Sequence, residues 1–120
     1  MQILVVDDDA LASEMIAAVL EDEGHQVFQT ENAIDALALL GQEAGIALVV
    51  SDMNMPFMSG VDLYQELQSQ GSQLPFILLT GDDPKAAWAQ APTINACIMK
   101  DFSMEETLPA AISNVMVIAS

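Results

Sequence analysis

Five short runs of consecutive apolar residues punctuate this chain: Ile3-Leu4-Val5-Val6, Val27-Phe28, Ile46 to Val50, Phe76-Ile77-Leu78-Leu79 and Ala96-Cys97-Ile98-Met99. Runs that are apolar at every position, rather than at every second one, belong to strands covered on both faces. That is the condition of a parallel sheet held between two helix layers. The segments between the runs carry apolar residues at helical spacing. Strand and helix therefore alternate five times, which predicts a doubly wound α/β fold. Five strands suit the flavodoxin-like order 2-1-3-4-5. The run at Val27-Phe28 is short and followed by Gln29 and Thr30, as an edge strand would be.

The helices have legible ends. Leu11, Ala12, Met15, Ile16, Val19 and Leu20 form one stripe after Asp9, a natural N-cap, and Gly24 closes it. Ala33, Ile34, Leu37 and Leu40 form a second stripe, capped by Asn32 or Thr30 and stopped at Gly41. A methionine-rich loop with Pro56 and Gly60 leads to a third helix through Leu63, Tyr64 and Leu67, ending at Gly71. Asp83-Pro84 reads as N-cap plus proline at the first position of a short alanine-rich helix bounded by Pro92. Ser103-Met104-Glu105-Glu106 matches a capping box before Leu108, Ile112, Val115 and Met116. Pro109 removes one backbone bond from that last helix and is expected to kink it or delay its start.

With 120 residues, 52% of them apolar, the chain has material for one core, so residues 1–120 are expected to form a single domain. The apolar stretches are short and the N-terminus opens directly on a strand pattern, which predicts neither a membrane span nor a signal peptide and places the protein in the cytoplasm. A lone Cys97 among apolar neighbours reads as a buried thiol in a reducing compartment. Eighteen acids against two bases, with no arginine and a net charge of −16, argue against direct contact with nucleic acid. Partners should be metal ions or proteins with basic patches.

The ends of the apolar runs carry the candidate chemistry. The first stops at Asp7-Asp8-Asp9, the third at Ser51-Asp52, the fourth at Thr80 and the fifth at Lys100. In the expected order the first and third strands are neighbours about 4.8 Å apart, so Asp8 and Asp52 crowd each other, and Asp7 and Asp9 worsen the crowding. A hard divalent cation resolves this. An incomplete carboxylate cage, with positions left for water and a phosphoryl oxygen, suits magnesium better than calcium. Asp52 can then act as nucleophile and form an acyl phosphate. The Thr80 hydroxyl can bond an oxygen of the transferred group, and Lys100, roughly 10 Å away at the backbone, can reach back to offset the added charge. Taken alone, the acidic triplet would be a solvated turn with one N-cap; Asp52, Thr80 and Lys100 change that balance.

Other residues read as structural. Met53, Met55, Met58 and Met99 suit packing better than binding of a hard metal. His25 should be exposed and without a partner. Trp88 is equally an exposed anchor or a cover for the sheet.

Val5-Val6-Asp7-Asp8, Asp52 with Met55-Pro56 and Gly60 downstream, Thr80, and Lys100 with Phe102 resemble the receiver domain of two-component response regulators, over essentially the whole chain. The resemblance implies transfer of a phosphoryl group to Asp52 from a sensor histidine kinase or a histidine phosphotransfer protein. The state of Asp52 would then control an unknown downstream protein or output domain. It also implies magnesium or manganese bound directly by Asp8, Asp52 and the backbone carbonyl of Asn54, with Asp7 acting through water. Thr80 would swing toward the phosphoryl group and signal to the face made by the fourth helix, fifth strand and fifth helix. Self-catalysed transfer and hydrolysis, without turnover of an outside substrate, would make it no enzyme in the ordinary sense.

Two positions depart from the family. Cys97 stands at the switch position where an aromatic residue is usual, and Asp101 follows the lysine where a cis proline is usual. A pseudo-receiver, an interaction module with altered or lost switching, is therefore the alternative. A phosphatase of the haloacid dehalogenase type would use Asp7 as nucleophile and needs a hydroxyl or β-branched residue where this chain has Leu11. Asn54 and Asp82 suggest polar access for the attacking water, hence a short-lived acyl phosphate.

Overall fold

The apolar runs pair as a five-stranded sheet in the computed structural model, which describes residues 1–81, 83–101 and 103–119. The expectations placed on Asp82 and Phe102 lie outside these residues. The strands are β1 (Gln2–Val6), β2 (Gln26–Thr30), β3 (Ile46–Asp52), β4 (Phe76–Thr80) and β5 (Ala96–Met99). They alternate with α1 (Ala10–Asp22), α2 (Ala33–Gln42), α3 (Gly60–Ser69), α4 (Pro84–Gln90) and α5 (Met104–Ala119). All pairings are parallel and the order is β2-β1-β3-β4-β5, as the uninterrupted apolar runs predict.

Side chains of a strand alternate between faces, so each central run feeds two cores. Leu4, Val6, Val49, Phe76 and Leu78 face α2, α3 and α4, whereas Ile3, Val5, Leu48, Val50, Ile77 and Leu79 face α1 and α5. Strands β1 and β4 are buried along their apolar runs, while β2 is only partly covered, as an edge strand should be.

The structure narrows two of the expected helix stripes. On α1, Leu11 and Met15 are 69% and 60% exposed, and the buried face is Ser13, Ile16, Ala17 and Leu20. On α2, Ile34 is exposed, Ala33 and Ala36 are buried, and the helix passes through Gly41 to Gln42. Small residues let a helix lie close to the sheet, and this leaves larger flanking side chains in solvent. His25 also differs from expectation. It is partly buried, with Nδ1 3.2 Å from the Met1 amino group. Burial, then that amino charge, lower its pKa against the opposing effect of Glu23.

The caps fix where helices start. Asp9 accepts from the N–H groups of Leu11 and Ala12, Asn32 from Asp35, and Asp83 from Lys85. Ser59 and Asp62 form a reciprocal capping box at α3, with aspartate in place of the usual glutamate. The expected box at Ser103 takes another form. The Ser103 hydroxyl and N–H both donate to Asp101 Oδ1, and the Glu106 N–H bonds the Ser103 carbonyl. Helix α5 then runs from Met104 with Pro109 inside it, so the proline does not delay its start.

Gly60 brings α3 against the end of β3. Its N–H donates to the Met53 carbonyl at 2.9 Å, and a Cβ there would press into the Asp52 carbonyl oxygen and Leu78 Cδ1. Backbone cannot yield as a flexible side chain can. Gly60→Ala is expected to destabilise the protein by about 1–3 kcal/mol, read as a lower urea midpoint with an unchanged m-value. A midpoint equal to wild type would show that this loop shifts freely.

Candidate phosphoryl-acceptor site

Parallel strands end on one rim, and the pairing sets the height at which each functional residue leaves the sheet. Val6 pairs with Ser51, so Asp7 leaves β1 level with Asp52, the last residue of β3. Leu79 pairs with Asp52, and Thr80 with Met99, so Thr80 and Lys100 stand successively further along the rim. Backbone bonds carry the ladder past the strand ends. Asp7 N–H donates to the Thr30 carbonyl at 3.1 Å, Met53 N–H to Leu79 at 2.8 Å, and Lys100 N–H to Thr80 at 2.7 Å. The site is thus positioned by main chain, not by loop packing.

The acidic triplet divides into three roles. Asp9 caps α1. Asp7 is 1% exposed, with Oδ1 accepting from the Asp9 N–H at 2.9 Å and Oδ2 from Lys100 Nζ at 2.6 Å. Asp8 is exposed, yet one carboxylate oxygen from each of Asp7, Asp8 and Asp52 lies within 4.8 Å of the others. The sequence places Lys100 opposite Asp52. In the structure its closer partner is Asp7, and Asp52 Oδ1 is 3.5 Å from the ammonium.

Burial raises the Asp52 pKa. The Lys100 charge and hydrogen bond oppose that rise, while the charges of Asp7 and Asp8 add to it. At Lys100, burial works to lower the pKa, but the hydrogen bond with Asp7 and the charges of Asp52 and Asp7 outweigh it, so the ammonium is held above its ordinary value. Three formal negative charges thus share one ammonium. Hard carboxylate oxygens at this separation fit a divalent cation of the magnesium or manganese type.

Thr80 is buried at the end of β4. Asn54 is exposed two residues beyond Asp52. Cys97 is buried in the core that also holds Ala87, Ala91 and Ile94, and burial raises its thiol pKa, so it is packing rather than a reactive thiolate. Asp101 closes the turn with Ser103 described above, and those bonds lower its pKa. Met53, Met55 and Met58 pack against the same core as Cys97, whereas Met99 is partly exposed. Trp88 is also partly exposed, with its indole N–H 3.4 Å from the Ile94 carbonyl. The sequence reading missed the close approach of Gly60 to Asp52, although a glycine opening a capped helix next to a strand end is a usable sign of it.

Residues 3–112 match the response regulator receiver domain family. The two-component response regulator PhoP of Pseudomonas aeruginosa is 35% identical over 108 residues, 88% of this chain and 48% of that protein. An uncharacterized 14.6 kDa protein of Leptolyngbya boryana is 38% identical over 111 residues, 91% of this chain and 79% of its own length. This chain spans about half the length of PhoP. Among solved structures, the response regulator TrrA of Thermotoga maritima, in complex with Mg(2+)-BeF, superposes with a TM-score of 0.86 at 25% identity, covering 95% of this chain and 97% of that one. Among the described residues no helix is long and apolar enough to cross a membrane. Five parallel strands in this order, the acidic cluster at their rim and the match over residues 3–112 agree: the chain belongs to the response regulator receiver domain family of two-component systems.

Proposed function

We propose that Asp52 accepts a phosphoryl group from a phosphohistidine on a sensor kinase or phosphotransfer protein, and that its phosphorylation state controls binding to a downstream partner. The observation that carries this reading is the convergence of Asp7, Asp8 and Asp52 within 4.8 Å, facing the Lys100 ammonium. A carboxylate oxygen of Asp52 attacks phosphorus, the bond from phosphorus to the donor imidazole nitrogen breaks, and the imidazole departs with the electron pair. The product is an acyl phosphate.

Asp8, Asp52 and the Asn54 carbonyl would hold magnesium or manganese, with Asp7 reached through water; the cation supplies positive charge opposite the phosphoryl oxygens. TrrA, whose fold this chain shares, is seen with Mg(2+)-BeF, and this supports the choice of ion. Lys100 offsets charge that builds on the transferred group, and Asp7 keeps its ammonium at the rim. Thr80 donates its hydroxyl to a phosphoryl oxygen. Water then hydrolyses the acyl phosphate, so the module acts on itself and turns over no outside substrate.

A groove of about 800 Å³ between α1 and α5 opens beside Lys100, with Met15, Ile16, Val19 and Leu108 in its wall and Asp22 and Glu105 at its border. Apolar lining under acidic borders suits an amphipathic helix with basic residues, such as one bearing the donor histidine.

Acetyl phosphate with magnesium is expected to add one phosphoryl group to the protein, seen by intact mass, and Asp52→Asn should abolish the adduct. No adduct on wild type at saturating donor would leave only an interaction module of this fold.

The crowding at Asp52 also predicts a pH dependence. A carboxyl whose folded-state pKa is raised contributes stability that is full below its unfolded pKa and is lost as pH rises through the raised value. Asp52→Asn removes that loss. Without divalent ions at neutral pH the variant should melt above wild type. The difference should close as pH falls toward the ordinary carboxylate range. Thermal melts in chelator across that pH interval check it; a wild type as stable as the variant at neutral pH contradicts the charge crowding.

A further inference from the structure

Phe57 is the non-glycine residue with positive φ among the described residues, at 70°, and its side chain is 96% exposed. The Met58 N–H donates to the Pro56 carbonyl at 2.8 Å, which closes a three-residue turn with Phe57 at its centre. The loop around it is tightly held. Met53 N–H is bonded to Leu79, Gly60 N–H to Met53, and the Ser59–Asp62 box fixes the start of α3. An aromatic residue in this backbone region is strained, whereas glycine or asparagine would adopt it with ease. Full exposure of the ring adds a second cost, since its apolar surface stays in water. Among the described residues, no packing offsets either.

The ring stands five residues beyond Asp52. Its loop leads into the layer of α2, α3 and α4, while the groove between α1 and α5 opens at Lys100 on the other layer. Exposed apolar surface is therefore present both on the loop that joins the end of β3 to α3 and in the groove that reaches Lys100. A small donor needs neither. A protein that carries phosphohistidine on a helix must cover the mouth to bring its imidazole to Asp52. A second copy of this chain is disfavoured as occupant, because each carries a net charge of −16.

We propose that Phe57 is a docking anchor for the protein phosphodonor, held outward by its strained turn so that the ring enters an apolar socket beside the donor histidine. The inference rests on the reading of Asp52 as phosphoryl acceptor. It makes Phe57 a specificity residue for protein donors, distinct from the groups that touch the phosphoryl group.

The test compares two donors on wild type, Phe57→Asn and Phe57→Tyr. One donor is acetyl phosphate; the other is a purified, autophosphorylated sensor kinase core from the source genome, the one that transfers fastest to wild type. Phe57→Asn suits the positive φ, so unfolding is not expected, and its melting temperature is recorded alongside. The ratio of kinase transfer to acetyl phosphate labelling should fall about tenfold in Phe57→Asn, through a higher KM at similar kcat, as for loss of a buried aromatic anchor. Phe57→Tyr should restore at least half of it. An unchanged ratio, or an equal fall with both donors, overturns the anchor while leaving the acceptor reading intact. Failure of wild type to take a phosphoryl group from either donor overturns both.

Discussion

Mutual repulsion of carboxylates at the end of a parallel sheet is the constraint around which this chain is organised. Parallel strands deliver their last residues to a common rim, and here the rim receives Asp7, Asp8 and Asp52 within 4.8 Å. Such a cluster persists only if positive charge faces it. Lys100, on the far side of β4, supplies part of that charge by lying 2.6 Å from Asp7 and 3.5 Å from Asp52. The remainder is what a divalent cation would supply, and under the proposed function an anionic group would then lie between cation and ammonium.

This arrangement assigns the two closest carboxylates different work. Asp7 is committed on both oxygens, to the Asp9 N–H and to Lys100, so it orients rather than reacts. Asp52 is buried yet holds only the longer contact to the ammonium, and the Ser51 hydroxyl bonds its backbone carbonyl rather than its carboxylate. The nucleophilic role proposed for Asp52 needs that relative freedom. The strain of keeping it charged comes from burial first and from its acidic neighbours second. Binding that neutralises the cluster therefore relieves a penalty already present in the folded protein, which couples ligand binding to stability without any moving part.

The sheet was legible because strands covered on both faces leave uninterrupted apolar runs, and because the polar residue that ends each run is the one the rim presents. Helix faces were harder to read. Leu11, Met15 and Ile34 match helical spacing as well as their buried neighbours do, but close packing of α1 and α2 favours Ser13, Ala17, Ala33 and Ala36 against the strands. Spacing reports periodicity and cannot weigh side-chain size against the available gap. The preference of Lys100 for Asp7 escaped for a similar reason. Strand order gives the separation of backbones, and the choice between two nearby carboxylates belongs to the rotamer. Phe57 lay beyond reach because Pro56-Phe57-Met58 contains neither glycine nor asparagine to announce a positive φ.

The departures at positions 97 and 101 can now be weighed physically. Asp101 accepts two bonds from Ser103 and so closes the turn into α5 by hydrogen bonding, leaving Lys100 in the β4–β5 ladder through its N–H to Thr80. The backbone placement of Lys100 therefore does not depend on a proline there. Cys97 has a different consequence. It is buried in the same core as Ala87, Ala91 and Ile94, with a thiol rather than an aromatic ring on β5 at this point. An aromatic ring turning between inward and outward positions could not carry the signal at this point. Under the proposed function, coupling from Thr80 to the α4 side would have to involve the short helix itself. Its N-terminal end is held by the Asp83 cap. The strand that follows it is approached through Thr93, whose hydroxyl is 2.7 Å from that of Tyr64 and lies within reach of Gln68 on α3. The segment between α4 and β5 is thus tied to α3 through the Thr93, Tyr64 and Gln68 side chains, so under the function proposed above a displacement of α4 would strain these bonds before it reached solvent.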